Sequence, residues 1–450
     1  MRNYLLATAA LVGFVAAGSA QAATFAPSDP SRNSSAFGSP QTKPEPGKII
    51  VHMGGLIAVD AVAANSNADK SAVTGAKNSQ IGMDGYFRLY FGFDGKLTNG
   101  MIYGAKSEMR TNFASPVAGT SGGSFASTWS TRRAYGYVGG DSWGIVRIGQ
   151  GDGPLSLFTG GGITTGEAFS TGAWDGDIGA FVGNGALAWG FYDVGAEYVP
   201  NKITWISPSW GGLNIGASFA PSNAALNANG NGTAITGGNN SQITSNLTSD
   251  LARPRNIFEV AARWQGNLGP VAVDAMLGYY GADVVKPSAT AVFPGGVTSY
   301  KNPSVIDAGL SVTYLGASVF GHVNSGSTNG VAAPRQVLAS GRKKDHLAWV
   351  IGAQYSTGPY TVGTSWYQFD SQGSSTAVGT GAAVVGNRQE RGFALGGQYT
   401  VVTGFDVFLE YLWGSRKQSG VNFVDGAAGP AANNNKINTS AVIATALWRW

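Results

Sequence analysis

Two sets of charged residues are separated along the chain in a way that bears on chemistry. The segment 151–195 carries Asp152, Glu167, Asp175, Asp177 and Asp193, and neither Lys nor Arg. The runs before it carry Arg88, Lys106, Arg110, Arg132 and Arg147. Carboxylates facing guanidinium and ammonium groups across a narrow aqueous passage set up a transverse field. A polar solute aligns its dipole in such a field, and rings of fixed charge select ions by sign. The pattern suggests a channel constriction.

Other chemistry is poorly supported. With no cysteine, thiol catalysis, disulfides and Cys-based metal sites are excluded. His52, His322 and His346 are far apart and make no metal-ligand spacing. Gly119 to Gly123 matches G-x-S-x-G, but lies in a Gly/Ser stretch rather than a strand-to-helix elbow. With 68 glycines in 450 residues, chance matches to glycine motifs are expected. No Walker motif occurs, and no Lys/Arg run reads as nucleic-acid binding. The expectation is a protein that is no enzyme, carries no cofactor or metal, and has no nucleic-acid partner.

The elements that hold the charges in place read as β-strands. In Ile81 to Asp94 the odd positions are Ile, Met, Gly, Phe, Leu, Phe and Phe. The even positions include Asp84, Tyr86, Arg88, Tyr90 and Asp94. Alternate side chains leave a strand on opposite faces, so one face is apolar and the other polar. Met101 to Phe113 repeats the pattern, with Lys106, Glu108, Arg110 and Asn112 sharing the polar face. Arg88, Lys106 and Arg110 therefore belong on polar faces.

Sixteen such segments are read, near 49–62, 80–94, 100–114, 130–139, 142–150, 196–207, 210–220, 256–267, 269–281, 304–315, 316–326, 345–356, 358–369, 388–400, 403–415 and 437–450. Most have the roughly 9–11 residues that a tilted strand needs to cross a bilayer. Short connections such as 139–142, 267–270, 356–359 and 402–404 alternate with long ones at 65–79, 115–129, 151–195, 221–255, 283–303, 327–344, 371–387 and 416–436. Short periplasmic turns, long external loops and an even strand number are the marks of a transmembrane β-barrel. Charged residues are only 12% of the chain, about half the usual share. A soluble β-sandwich or β-helix, the alternative, would bury its apolar face and has no rule that alternates its connections.

The N-terminus divides into two further segments. Residues 1–22 read as a secretory leader: Arg2, an apolar run from Tyr4 to Ala17, and Ala20-Gln21-Ala22 as the cleavage site. Residues 23–48 hold Pro27, Pro30, Pro40, Pro44 and Pro46 and read as an extended periplasmic arm. The barrel domain is 49–450.

Two stretches resemble a known family. Arg132 to Gly139, then Trp143 to Gln150, are similar to a strand-turn-strand motif of the Gram-negative general porins, which are trimeric sixteen-stranded barrels. The last strand, Ile437 to Trp450, ends in an aromatic residue and looks like the signal read by the barrel-insertion machinery. Most family members end in Phe, and the loop lacks the Pro-Glu-x-x-Gly core common in enterobacterial members. The resemblance implies an outer-membrane homotrimer among lipids, passing small hydrophilic solutes and ions by passive diffusion. It implies a third loop, 151–195, folded into the lumen, with Asp152, Glu167, Asp175 and Asp177 facing Arg88, Lys106, Arg110, Arg132 and Arg147. Arg132 points inward if Tyr135 and Tyr137 face lipid, which leaves Arg133 at the outer rim. The alternatives are a substrate-selective porin for sugars or anions, marked by a ladder of aromatics or lysines, and an outer-membrane barrel hydrolase.

Overall fold

A computed structural model of the chain describes residues 44–67, 69, 75–77, 79–112, 130–159, 201–222, 254–284, 301–327, 345–371, 387–420, 422 and 435–450. The leader read at 1–22 and most of the arm read at 23–48 lie outside these residues.

The strands are β1 Ile49–Ser66, β2 Ile81–Lys96, β3 Ile102–Asn112, β4 Ser130–Gly140 and β5 Gly144–Gln150. A short helix, α1, follows at Pro154–Thr159. Then come β6 Asn201–Ile206, β7 Leu213–Ser222, β8 Pro254–Leu268, β9 Val271–Val284, β10 Ser304–Tyr314 and β11 Ala317–Gly326. The last five are β12 His346–Thr357, β13 Tyr360–Ser371, β14 Arg388–Val402, β15 Phe405–Gln418 and β16 Lys436–Arg449. Each strand pairs antiparallel with its chain neighbours, and β16 pairs with β1 to close a sixteen-stranded barrel.

The faces decide between a membrane barrel and a soluble sheet. On β2, Ile81 and Met83 are 75% and 71% exposed, while Tyr86 and Arg88 on the alternate face are buried. The same holds around the ring: Ile148, Ile203, Val260, Leu310, Ile351, Leu395, Leu409 and Val442 all point outward and are exposed. A soluble fold would pack that face away from water; a barrel in lipid turns it outward. Aromatic rings gather at the outer edge of the short-turn end. Tyr360 stacks on Tyr399 at 5.0 Å and Phe405 on Trp448 at 5.0 Å, the placement expected of an interfacial girdle.

The ladder from Leu56↔Arg449 to Ser66↔Thr439 closes the ring, and the last residue extends it. The backbone of Trp450 exchanges both hydrogen bonds with Gly55, each 3.1 Å, and its ring stacks on Phe87 at 5.9 Å. A side chain at Gly55 would overlap the Trp450 ring.

Every strand falls where the alternating pattern places one. The differences lie at the ends. β1, β14 and β15 run on beyond the read limits, because ladder hydrogen bonds continue past the apolar band that makes a strand legible. β7 starts at Leu213 rather than 210, because Gly211 and Gly212 hold positive φ and make a turn there. α1 lies in a stretch read as irregular. Proline suits the first position of a helix, where its missing N–H costs nothing.

Candidate functional site

The inner faces of β2 to β5 form one charged wall. Arg88 of β2 lies directly opposite Arg110 of β3 in the register, so both point inward side by side. Next toward the short-turn end, Glu108 of β3 lies opposite Arg133 of β4. Lys106 faces Tyr135 across the next pair, and Tyr137 faces Arg147 of β5 beyond that. The cations thus step down the wall from β2 and β3 to β5, with tyrosines between them. Arg147 packs over the Tyr135 ring at 4.0 Å, Arg88 over Tyr86 at 4.6 Å, and Lys106 Nζ lies 5.9 Å from the centre of the Tyr137 ring. Aromatic faces attract cations and hold these flexible side chains in place. At the foot of the wall Tyr137 Oη donates to Asp94.

A β-bulge at the top of the wall brings two arginines to one carboxylate. The register skips from Glu108↔Arg133 to Met109↔Thr131, leaving Arg132 as the extra residue. Arg132 Nη1 donates to Glu108 Oε1 at 3.1 Å, and Arg133 Nη1 donates to Glu108 Oε2. Arg88 Nε approaches the same carboxylate at 3.9 Å. Gln150 braces the bulge, its Nε2 donating to the Arg132 carbonyl at 3.0 Å. The parity expectation for this strand is corrected. Tyr135 and Tyr137 face the lumen, and Arg133 is buried inside rather than at the outer rim. A bulge puts consecutive residues on one side of the sheet, so Arg132 points inward as well.

The chain after β5 also turns inward. Residues 151–158 are all buried. Asp152 takes a two-pronged bond from Arg133, through Nε and through Nη2 at 3.1 Å, so this acid is bound at the root of the segment. α1 then crosses to the wall of β6 to β9, where Leu155, Leu157 and Phe158 pack against Ile206, Ala220, Ile257, Ala261, Met276 and Tyr280. Three glycines permit the approach. A Cβ at Gly278 would overlap Leu155, one at Gly216 would meet Pro154 and Phe158, and one at Gly153 would overlap the Glu259 carboxylate. Glu259 is held by Lys202 Nζ at 3.3 Å.

One prediction follows from that bed. Gly278→Val drives a branched side chain into Leu155, and overpacking of this kind costs about 1–3 kcal/mol. Thermal unfolding of the purified barrel should fall accordingly, and adding Leu155→Ala should recover most of the loss. No change in the unfolding midpoint would show that α1 does not rest on β9.

Of the candidates read from sequence, the structure brings Arg88, Lys106, Arg110, Arg132 and Arg147 onto one wall, with Asp152 beside them. Glu167, Asp175 and Asp177 lie outside the described residues. Sequence reasoning missed Arg133 and the role of Glu108; their only sequence signal is the pair of adjacent arginines opposite an acid on the polar face of β3. It also missed a second site near the long-loop end, where Arg388 and Arg416 share the buried Glu390, Arg416 Nε at 2.7 Å. Among the described residues, no three His, Cys, Asp or Glu side chains are grouped to hold a metal. His322 instead pairs with Asp307 at 2.5 Å, and His346 with Asn324 at 2.8 Å.

The fold is shared with solved outer-membrane channels. An anion-selective porin from Comamonas acidovorans is 14% identical, with 90% of this chain and 100% of that one covered at a TM-score of 0.50. OmpF of Salmonella typhi, solved with daunomycin, is 11% identical, with 89% and 97% covered at 0.52. The outer membrane channel DcaP of Acinetobacter baumannii is 11% identical, with 91% and 99% covered at 0.50. A search of curated proteins gave no match. The profile described as Gram-negative porin matches residues 7–419. The solved structures carry the fold and the profile carries the family: this chain belongs to the Gram-negative porins.

Proposed function

We propose that the lumen prefers small hydrophilic anions and is narrowed where the acidic segment 151–195 enters it opposite the basic wall. As a Gram-negative porin the chain forms an outer-membrane channel through which solutes diffuse passively. The observation that carries the anion preference is the step of cations down β2 to β5. Arg88, Lys106, Arg110, Arg132, Arg133 and Arg147 outnumber Asp94, Glu108 and Asp152 on that wall. Arg88 and Arg110 stand directly opposite each other, a like-charge pairing that costs stability and concentrates positive field at that level of the lumen. A passing anion exchanges part of its hydration for successive cations along the wall.

This arrangement favours the anion-selective reading over an indifferent pore. Register across four strands brings these cations side by side, which supports that reading. No cofactor, catalytic group or energy source enters the mechanism. Homotrimeric assembly, and delivery to lipid by the insertion machinery through the strand that ends at Trp450, complete the proposal.

Swelling of liposomes that contain the protein tests the preference with solutes on one carbon skeleton. Gluconate should enter several-fold faster than glucosamine, with glucose between them. Equal rates for gluconate and glucosamine would remove the anion preference.

A further inference from the structure

The long-loop end of β14 to β16 carries a basic patch on the outside of the barrel. Lys417 of β15 lies directly opposite Lys436 of β16. On its other side Lys417 lies opposite Gln389, and Arg391, two residues further down β14, is its diagonal neighbour. Opposed residues stand about 4.5–5.5 Å apart and diagonal ones about 7–8 Å, so a single headgroup can span the three. By strand parity they share the outward face with Leu395, Leu409 and Val442, and all three are exposed. None of them makes an ion pair among the described residues. Asp370 of β13, the outward acid at this level, accepts instead from Gln368 at 2.9 Å and Gln389 at 3.1 Å. Lys77 and Lys301, at the same end of the barrel, are each matched by an acid, Asp69 at 3.3 Å and Asp345 at 3.5 Å. The unmatched charge is therefore local to β14–β16 rather than a trait of the whole rim.

The height of the patch places it at a membrane surface. Lys417 lies twelve residues along β15 from Phe405, and Lys436 twelve along β16 from Trp448, the stacked pair of the lower girdle. Twelve residues of a strand tilted about 45° climb about 28 Å, just past an apolar band about 25 Å tall. Trp366 and Trp413 stack at 6.2 Å on the outward face beneath the lysines, and Arg391 lies over the Trp413 ring at 5.9 Å, as an upper interfacial girdle would. Below the rings the outer face sinks into an apolar groove of about 620 Å³, lined by Val362, Leu395, Gly397, Tyr399, Leu409 and Tyr411. Gly397 deepens it, an outward position with no side chain.

We infer that this face binds an anionic, phosphate-bearing lipid of the outer leaflet, its headgroup on Arg391, Lys417 and Lys436 and an acyl chain in the groove. Charge complementarity selects the headgroup: phosphate oxygens accept several charge-assisted hydrogen bonds at once, and the opposed lysines repel each other until an anion lies between them. The groove beneath selects the rest of the molecule, because only an amphiphile joins such a headgroup to a chain that reaches down the apolar band. The site needs a barrel that stands in a membrane, and it is independent of the anion preference of the lumen.

Native mass spectrometry of the folded protein in detergent reads the lipid bound. Dimyristoyl phosphatidic acid should bind at least tenfold more tightly than dimyristoyl phosphatidylcholine, and inorganic phosphate should not be retained. Lys417→Gln with Lys436→Gln should remove the preference for the anionic lipid. Gly397→Leu fills the groove from a position where a Cβ meets only ordinary contacts, 3.4 Å from the Thr361 carbonyl and 3.5 Å from Val362. It should weaken both lipids at least fivefold. All three substitutions lie on the outer face and leave the strand pairing intact. Equal binding of the two lipids, or a preference that survives the double substitution, overturns the headgroup site. Undiminished binding to Gly397→Leu overturns the seat of the acyl chain. Inorganic phosphate held as tightly as phosphatidic acid overturns the lipid and assigns the patch to a free anion.

Discussion

Replacing Arg133 with Met is expected to destabilise the folded barrel by about 3–5 kcal/mol, the usual cost of removing one partner from a buried ion network. Arg133 is fully buried and joins Glu108 on the wall to Asp152 at the root of the inward segment. Without it, two carboxylates remain in a site built to hold a guanidinium, and Asp152 loses the bond that fixes where the chain leaves β5. The loss should appear as a lower unfolding midpoint in detergent. A control separates a broken network from a valuable one. Arg133→Met combined with Glu108→Gln and Asp152→Asn removes the stranded charges together and should regain much of the stability. A loss under about 1 kcal/mol for Arg133→Met alone would mean that the network does not hold the segment.

The second large effect is on selectivity. Neutralising Arg88, Lys106 and Arg110 together, each to Gln, should shift the channel toward cations by about tenfold in permeability ratio. One unit charge about 4 Å from a permeant ion is worth about 1 kcal/mol even in bulk water, a factor of about five. Greater distance and salt screening reduce each contribution, but the three act along one path. All three sit on the inner face of β2 and β3, so the substitutions leave the outer apolar band untouched and the barrel should still assemble. Reversal potential in a salt gradient reads the shift, and an unchanged value would remove these residues from the ion path.

The barrel was legible because its rule is local. Lipid demands an apolar residue at every second position, and β2 and β15 announce themselves in a dozen residues each. The basic wall was partly legible for the same reason: Arg88, Lys106 and Arg110 occupy the polar parity of regular strands. On β4 parity itself holds: Arg133, Tyr135 and Tyr137 share one face of an unbroken register, and the expectation failed because the tyrosines are read as lipid-facing. The bulge adds only that Arg132 points inward as well. Contacts that depend on register between strands were out of reach, such as the two arginines on Glu108 and the Arg388–Glu390–Arg416 group. So was the seat of α1, since glycines at 153, 216 and 278 acquire meaning only once the helix lies on them.

The claim that joins these observations is that an outer-membrane channel carries an excess of cations on the inner face of β2 to β5. Zero-current potential across a planar bilayer, with the wild-type protein in a tenfold potassium chloride gradient, tests it most directly. The account predicts discrete conducting steps and a potential of the sign produced by chloride moving faster than potassium. A potential of the opposite sign, or no steps from folded protein, would contradict it.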